Sequence, residues 1–360
     1  MRALVAMSGG VDSSVAAALM IEQGFDVIGV TLKQWEAADG SMPVAGCCTL
    51  SDAEDARRVA AQLDIPYYVL DYVEEFTAAV VEPFAEGYLN GLTPNPCIEC
   101  NRRVRFSALL DRTEELGCDI LVTGHHARVE DHDGVFRLRT AVDGSKDQSY
   151  VLHMLDQFAL SKIRLPVGEI TKRDVRTKAA EMGLRTASKP DSQDICFVTS
   201  GDYRDFLAQR HPEAAAPGDI LDVNGDVIGE HNGTAGFTIG QRKGIGVAVG
   251  SARYVVDIAP RAQTITIGTY RDLLTDRCLV DEMSFTDLAP PHGETVNVKI
   301  RYRSDPVAAT IVSTGDRWEF RFDEPQARPA PGQSLVMYDG EFVLGGGIVV
   351  DDRSPAHSVQ

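Results

Sequence analysis

The sequence predicts an α/β chain: a doubly wound parallel sheet, then a mixed, mainly helical linker region, then a β-rich C-terminal barrel. Three observations carry this expectation. An apolar run passes through two glycines into a helical composition between Leu4 and Met20. Apolar strands then alternate with helical stretches to about residue 145, the pattern of a parallel sheet. Beyond Pro217-Gly218 the chain changes to short strands separated by turn signals such as Asn224-Gly225 and Asp339-Gly340. Four regions are expected: 1–145, a helical segment 146–216, a small β-rich unit 217–275 and a β-barrel 276–360.

Taken in order, Leu4-Val5-Ala6 is a strand, Ser8-Gly9-Gly10 its turn, and 15–20 the start of a helix. Asp26-Val27-Ile28-Gly29-Val30-Thr31-Leu32 reads as a second buried strand. It brings Leu32 to the same sheet edge as the turn, where a nucleotide base could rest. Ser51 with Glu54 forms a capping-box pattern for a helix over 52–63, which stops before Pro66. Tyr67-Tyr68-Val69-Leu70-Asp71 is the next strand, a helix spans 74–89, and residues 119–126 supply a fourth strand. Helices are expected over 171–182 and 202–210, the latter with Ser200 as its cap. Strands follow at 295–303, 307–313, 318–322, 335–338 and 342–350, before a soft tail after Asp351.

The chain has 360 residues, 44% of them hydrophobic, enough for more than one core. No apolar run approaches ~18 residues and Met1-Arg2 leads straight into the first strand, so no secretion or membrane signal is visible and a cytoplasmic protein is expected. Seven cysteines in a reducing compartment argue against a disulfide framework and for catalytic or metal-binding thiols. A net charge of −18 predicts solubility and long-range repulsion from nucleic acid. Local basic clusters occur at Asn101-Arg102-Arg103-Val104-Arg105, Lys172-Arg173-Asp174-Val175-Arg176-Thr177-Lys178 and Lys299-Ile300-Arg301-Tyr302-Arg303. Each is more readily a solvated face than a phosphate contact.

The turn Ser8-Gly9-Gly10-Val11-Asp12-Ser13-Ser14 has the chemistry of a phosphate site. Its glycines let backbone N–H groups approach an oxyanion, its serines add donors, and the following helix presents its positive end. Asp12 can hold the metal that accompanies phosphate. The turn lacks both a Walker lysine and the G-x-G-x-x-G spacing, which disfavours kinase-like hydrolysis and dinucleotide binding. This stretch resembles the pyrophosphate-binding loop of the N-type ATP pyrophosphatases. The resemblance implies ATP cleaved between its α and β phosphates with Mg²⁺, and AMP attached to a substrate oxygen.

A second resemblance rests on Thr93-Pro94-Asn95-Pro96-Cys97-Ile98-Glu99-Cys100-Asn101, Gly124-His125-His126-Ala127-Arg128, Lys146-Asp147-Gln148-Ser149-Tyr150, Pro190-Asp191-Ser192-Gln193-Asp194-Ile195-Cys196-Phe197 and Gly236-Phe237-Thr238-Ile239-Gly240-Gln241-Arg242-Lys243-Gly244. Together these look like the bacterial tRNA-specific 2-thiouridylases, in one order along nearly the whole chain. The resemblance implies ATP contacts at Ala6, Met7, Ser8, Gly9, Gly10, Val11, Asp12, Ser13, Leu32 and Gly124. It implies a persulfide carrier at Cys196 and its partner nucleophile at Cys100, although a cysteine between Ile195 and Phe197 also reads as a core residue. tRNA contacts are implied at His125, Lys146, Asp147, Gln148, Arg301, Tyr302 and Gln333, and a target-base pocket at Asn95, Pro96 and Cys97. His125 also reads as a satisfied strand-end histidine and Gln333 as a turn residue. The implied partners are tRNA and a sulfur-donor protein, a cysteine desulfurase or sulfur-relay carrier, with no membrane.

Cys97 departs from that family, whose common pattern has an aspartate there, associated with proton transfer. With Cys100 and Cys196 it could hold a [4Fe–4S] cluster with one open iron, a metal set of Cys97, Cys100 and Cys196. Zinc lacks an evident fourth ligand. A redox-reversible Cys97–Cys100 disulfide is the third arrangement. Cys47 and Cys48 read as structural or incidental, and Cys118 and Cys278 as core. The reading is an ATP-dependent tRNA uridine 2-thiolase. Its rivals are an amide- or C–N-bond-forming ligase of the same loop family, which would survive loss of both thiols, and a non-catalytic RNA-binding module.

Overall fold

A computed structural model describes residues 1–36, 49–191, 195–198, 201–247 and 250–352. Cys47 and Cys48, Ser192, Gln193 and Asp194, Ser200 and the tail from 353 lie outside them.

Strand β1 (Arg2–Ala6) runs into the glycine turn, and α1 (Val11–Glu22) leaves it with Gly10 as N-cap. β2 (Asp26–Lys33) pairs parallel to β1. α2 (Leu50–Gln62) opens with a capping box between Thr49 and Asp52, two residues before the one expected at Ser51. The same Thr-x-x-acid spacing occurs there, and the earlier box wins because it takes up the first free amides of the helix. β3 (Tyr67–Asp71) follows as expected. The single helix expected over 74–89 is three pieces: α3 (Val73–Phe76), a wide π turn Thr77–Val81, and α4 (Glu82–Leu89). A second wide stretch, Cys100–Ala108, lies between α5 (Pro96–Glu99) and α6 (Leu109–Glu115). π turns of this kind gather at functional sites.

β4 (Ile120–Val122) ends sooner than the strand expected over 119–126. After it, β5 (Ala127–His132) and β6 (Val135–Thr140) form an antiparallel hairpin. The parallel sheet is completed beyond 145: α7 (Gln157–Lys162) leads into β7 (Ile163–Arg164), giving the order β3-β2-β1-β4-β7. Two helices follow, α8 (Lys172–Glu181) capped by Thr171 and α9 (Tyr203–Arg210) capped by Asp202.

The central unit is a four-stranded sheet of β8 (Pro217–Leu221), β9 (Val227–Asn232), β10 (Tyr254–Ala259) and β11 (Thr264–Gly268), ordered β10-β11-β8-β9. Beyond it lie β12 (Leu274–Phe285), β13 (Thr295–Lys299), β14 (Val307–Ser313), β15 (Trp318–Ala327), β16 (Ser334–Asp339) and β17 (Phe342–Val350). They run β12-β15-β14-β13-β16-β17, and β12 pairs with β17, so the six strands close into an antiparallel barrel. Closure removes the unpaired edges. Val280, Val298, Ile311, Phe320, Leu335 and Met337 are buried in its core. The β5–β6 hairpin extends the barrel's sheet through Phe342 opposite Arg139. The hairpin thus carries strand pairing from the N-terminal unit onto the barrel, alongside side-chain bonds such as Tyr150 to the Ser334 carbonyl and Gln157 to the Thr286 carbonyl. Among the described residues no helix is long and apolar enough to cross a membrane.

Candidate active site

The phosphate turn sits at the C-terminal end of β1, where parallel sheets place their ligands. Gly9 has φ +71°, and a Cβ there would lie 2.2 Å from the backbone oxygen of Asp52, so only glycine fits. Inside the turn, Ser8 N donates to Ser13 Oγ at 3.1 Å and Ser14 Oγ to the Gly10 carbonyl at 2.8 Å. Gly124, just past β4, packs so closely on the start of α1 that a Cβ would lie 2.7 Å from Ser13 N. That approach brings the chain after β4 against Asp12.

Asp12 is held by two residues the sequence did not single out. Lys172 Nζ lies 2.6 and 2.8 Å from its two carboxylate oxygens, and His126 Nε2 lies 3.0 Å from Oδ1. Burial alone would raise this carboxyl's pKa, but the bonds from His126 and Lys172 outweigh it and hold Asp12 below the usual carboxylate range. Lys172 also reaches Asp191 Oδ1 at 2.9 Å, and Asp191 is further bound by Lys146 and Arg176, both at 2.8 Å. Burial opposes ionisation of Asp191, yet Lys146 and Lys172 bring its pKa down to about 2. Lys172 is thus not the solvated surface cation its cluster suggested; it is buried between two carboxylates. Thr171, whose side chain accepts from Asp174 N, fixes where α8 starts, but this local signal does not give the direction of Lys172.

Lys189, two residues before Asp191, closes the turn from the other side. It donates to the Gly9 carbonyl at 3.0 Å, to Asp52 at 2.7 Å and to Asp55 at 2.8 Å. The segment that carries Cys196 is therefore fastened to the phosphate turn at two charged points.

The thiols occupy an apolar setting. Cys100 is buried at the start of its wide turn, with Gln34 Nε2 3.3 Å from its sulfur, and Gln34 immediately follows β2. Cys196 packs against the same apolar cluster, beside buried Phe197, whose ring contacts Trp35, Phe76, Phe84 and Phe206 at centroid distances of 5.2–6.2 Å. The structure thus brings Cys100 and Cys196 to one cluster, with Leu32 among its members. Cys97 is exposed; its amide donates to Asn95 Oδ1 at 3.1 Å, which starts α5 at Pro96. Among the described residues no three His, Cys, Asp or Glu side chains are grouped to hold a metal ion. Cys97, Cys100 and Cys196 do not stand as a preformed cluster site, because Cys100 faces the core while Cys97 faces solvent. Cys118 and Cys278 are buried, and burial raises the pKa of each, that of Cys278 to about 12.

The residues implied as tRNA contacts are largely engaged within the protein. His125 is buried, with Nδ1 2.7 Å from Thr123 Oγ1 and Nε2 3.5 Å from Arg105; burial, then Arg105, lowers its pKa to about 3, so the ring is neutral. The Asp147 side chain is 6% exposed and accepts from the Ala141 amide and Ser149 Oγ. Gln148 Oε1 accepts from the His126 amide at 2.9 Å. Tyr302 donates to the Asp147 carbonyl at 3.1 Å, and it lies within electrostatic range of Cys97. Arg301 bonds the Arg328 carbonyl at 3.4 Å, and Gln333 bonds the Thr93 carbonyl at 2.6 Å. Of these residues Tyr302 is exposed, and the Lys146 side chain is 40% open.

Three family models match in succession: a tRNA methyl transferase HUP domain over residues 1–200, a tRNA methyl transferase PRC-barrel domain over 204–269, and an aminomethyltransferase beta-barrel domain over 275–349. The tRNA-specific 2-thiouridylase MnmA of Chloroflexus aurantiacus is 46% identical over 347 residues, 96% of this chain and 97% of that one. The protein of the same name from Carboxydothermus hydrogenoformans is 46% identical over 355 residues, 97% of each chain. Among solved structures, a 4-thiouridine synthetase–RNA complex with bound ATP aligns at 18% identity and a TM-score of 0.37, over 59% of this chain and 50% of that one. With near-complete coverage at this identity, the chain belongs to the tRNA-specific 2-thiouridylase family.

Proposed function

We propose that the protein is an ATP-dependent tRNA sulfurtransferase that replaces O2 of the wobble uridine with sulfur. The observation that carries this reading is the pairing of an ionised Asp12 in a phosphate turn with two thiols, Cys100 and Cys196, on one apolar cluster. A ligase would need only the first, and a binding module neither.

In the first step, O2 of a uridine flipped from the anticodon stack attacks the α-phosphorus of ATP. Pyrophosphate leaves and AMP is esterified to O2. The amides at the start of α1 and the hydroxyls of Ser8 and Ser13 hold the departing phosphates. Asp12, a hard and ionised oxygen donor, is the residue that would hold Mg²⁺, which neutralises phosphate charge when bound. Lys172 can exchange its Asp12 contact for a phosphate oxygen.

The second step uses a persulfide on Cys196. Its terminal sulfur attacks C2 of the uracil, and AMP leaves with the C–O bonding pair. The Cys100 thiolate then attacks Cys196 Sγ; the bond to the transferred sulfur breaks, the thione forms, and a Cys100–Cys196 disulfide remains. A cellular dithiol reduces it before a sulfur-donor protein, a cysteine desulfurase or relay carrier, reloads Cys196. Cys97 has no required part in this route. Of the tRNA contacts, Lys146, Arg301 and Tyr302 meet the RNA directly, while His125, Asp147, Gln148 and Gln333 support them from behind.

The test is nucleoside analysis of an unmodified tRNA incubated with the protein, ATP and a persulfide donor. 2-Thiouridine that depends on ATP, Cys100 and Cys196 is expected. ATP turnover by the wild-type protein with no thiouridine formed, and a product made from a nitrogen nucleophile that survives loss of both thiols, would instead mark a ligase.

A further inference from the structure

Residues 239–247 of the central unit belong to a family-like motif, Gly236 to Gly244, to which the proposed reaction gives no task. Both ends of this segment are fixed. Ile239 and Ile245 are buried in the central apolar cluster, and Val247 packs against Gly229, where a Cβ would lie 2.8 Å from its methyl. Between these anchors Arg242, Lys243 and Gly244 are exposed. Gly240, Gly244 and Gly246 have φ of +85°, +73° and +85°, so the backbone turns repeatedly in the left-handed region. None of the amides of residues 242–247 donates to an acceptor among the described residues. Neither Arg242 nor Lys243 has a carboxylate within 4.0 Å among the described residues, whereas Arg2, Arg58, Arg112 and Lys178 are all paired. Arg57, Arg173 and Arg321 also lack such a partner among the described residues, but in a chain of net charge −18 two unneutralised cations side by side on a glycine turn are an exception.

Their place in the fold gives the exception a direction. The loop starts where the three parts of the molecule meet: a Cβ on Gly240 would lie 2.9 Å from the Arg301 guanidinium, and Thr238 Oγ1 lies 3.4 Å from Thr93 Oγ1. Thr93 leads directly into Asn95, Cys97 and Cys100. Exposed cations beside open backbone amides on a glycine turn suit phosphate oxygens. Because the loop projects rather than encloses, it fits a polyanion whose charges repeat along a surface, bound by counterion release, better than a small free anion. Resting on the tRNA reading above, we infer that Arg242 and Lys243 contact the tRNA sugar-phosphate backbone, extending the RNA surface onto the central unit.

The experiment is binding of an unmodified tRNA transcript across a salt series to the full chain and to Arg242→Gln/Lys243→Gln, with Arg57→Gln/Arg58→Gln on α2 as an equal-charge control. The loop variant should bind about 10-fold more weakly, and its slope of log affinity against log salt should fall in magnitude by about 1.4–1.8, two phosphates' worth. The control should keep the wild-type slope, and both variants should keep the wild-type melting temperature. A loop variant with the wild-type slope overturns the inference while leaving the tRNA reading intact, as does an equal loss in the control. Binding to anionic vesicles that the loop variant loses while its tRNA affinity stays unchanged overturns it in favour of a membrane surface. A wild-type protein that binds no tRNA contradicts the functional reading itself.

Discussion

The two ends of the candidate site are held by different physics. At the phosphate end, Lys172 bridges Asp12 and Asp191, and Lys189 separately clamps the Gly9 carbonyl and Asp52, all through charge-assisted bonds of 2.6–3.0 Å. At the thiol end, Cys100 and Cys196 belong to or pack on the apolar cluster that holds Phe197, Phe76 and Phe84. Charged bonds can be exchanged for a charged ligand at little cost, because each lysine can trade a carboxylate for a phosphate. An apolar cluster offers no such exchange, but it keeps water away from a persulfide and an adenylated base. On the proposed function, the difference teaches that the end assigned to bind and release an anion is built from exchangeable contacts, and the end assigned to carry sulfur from apolar packing. Lys189 and Asp191 join the two, since both stand a few residues before Cys196.

Breaking the thiol end alone should have the largest effect. Cys196→Ser and Cys100→Ser should each lower thiolation at least ~10³-fold while tRNA-dependent pyrophosphate release continues. Parallel pyrophosphate and thiouridine assays check this, and loss of both signals together would mean that the ends are not separable. Breaking the charged end should do the reverse: Asp12→Ala should abolish pyrophosphate release, with an unchanged circular dichroism spectrum. Retained turnover would remove the turn from the reaction.

Lys172→Met should cost less, ~10²-fold in pyrophosphate release, and Lys172→Arg should recover part of it, because the charge matters more than its exact shape. A merely structural lysine would instead lower the melting temperature with no change in turnover per folded molecule.

The smallest effect is on stability. Asp191 has a folded pKa of about 2, below its ordinary value, so its ion pairs stabilise the fold above about pH 4. That contribution is lost as the pH falls through about 4 toward 2. Urea unfolding should therefore show Asp191→Asn less stable than wild type at pH 7 but closer to it near pH 3. A gap that stays constant across this range would separate the aspartate's role from its charge.

What the sequence made legible follows the same division. The phosphate turn could be read because its chemistry is local: two glycines, serines and an aspartate within one turn of a helix. Strands β2, β3, β14 and β17 could be read from period and turn residues. Lys172 and His126 could not, because their role depends on the close packing of Gly124 on α1 and on the crossover that brings α8 back to the sheet edge. His125 was singled out through the family resemblance, while His126 carried no local sign of its bond to Asp12, which depends on β4 ending at Val122. The β5–β6 hairpin did carry a local signal, the two-residue Asp133-Gly134 turn with both φ positive, which the sequence reading passed over; its joining to β17, some two hundred residues away, has no local sign. Cys97 is a case where composition suggested more than the fold assembles: C-x-x-C spacing on a helix start leaves one thiol in solvent and the other in the core.

The central claim is that Asp12's end activates the base and that Cys196 and Cys100 together deliver the sulfur. Its most direct test is a single turnover with iron-free protein loaded with persulfide on Cys196, mixed with ATP and unmodified tRNA, followed by peptide mass analysis of the thiols and nucleoside analysis of the RNA. The account predicts one 2-thiouridine for each persulfide consumed, with a Cys100–Cys196 disulfide left behind and Cys97→Asp behaving like wild type. Thiouridine formed by Cys196→Ser, or formed only after iron is restored, would contradict it.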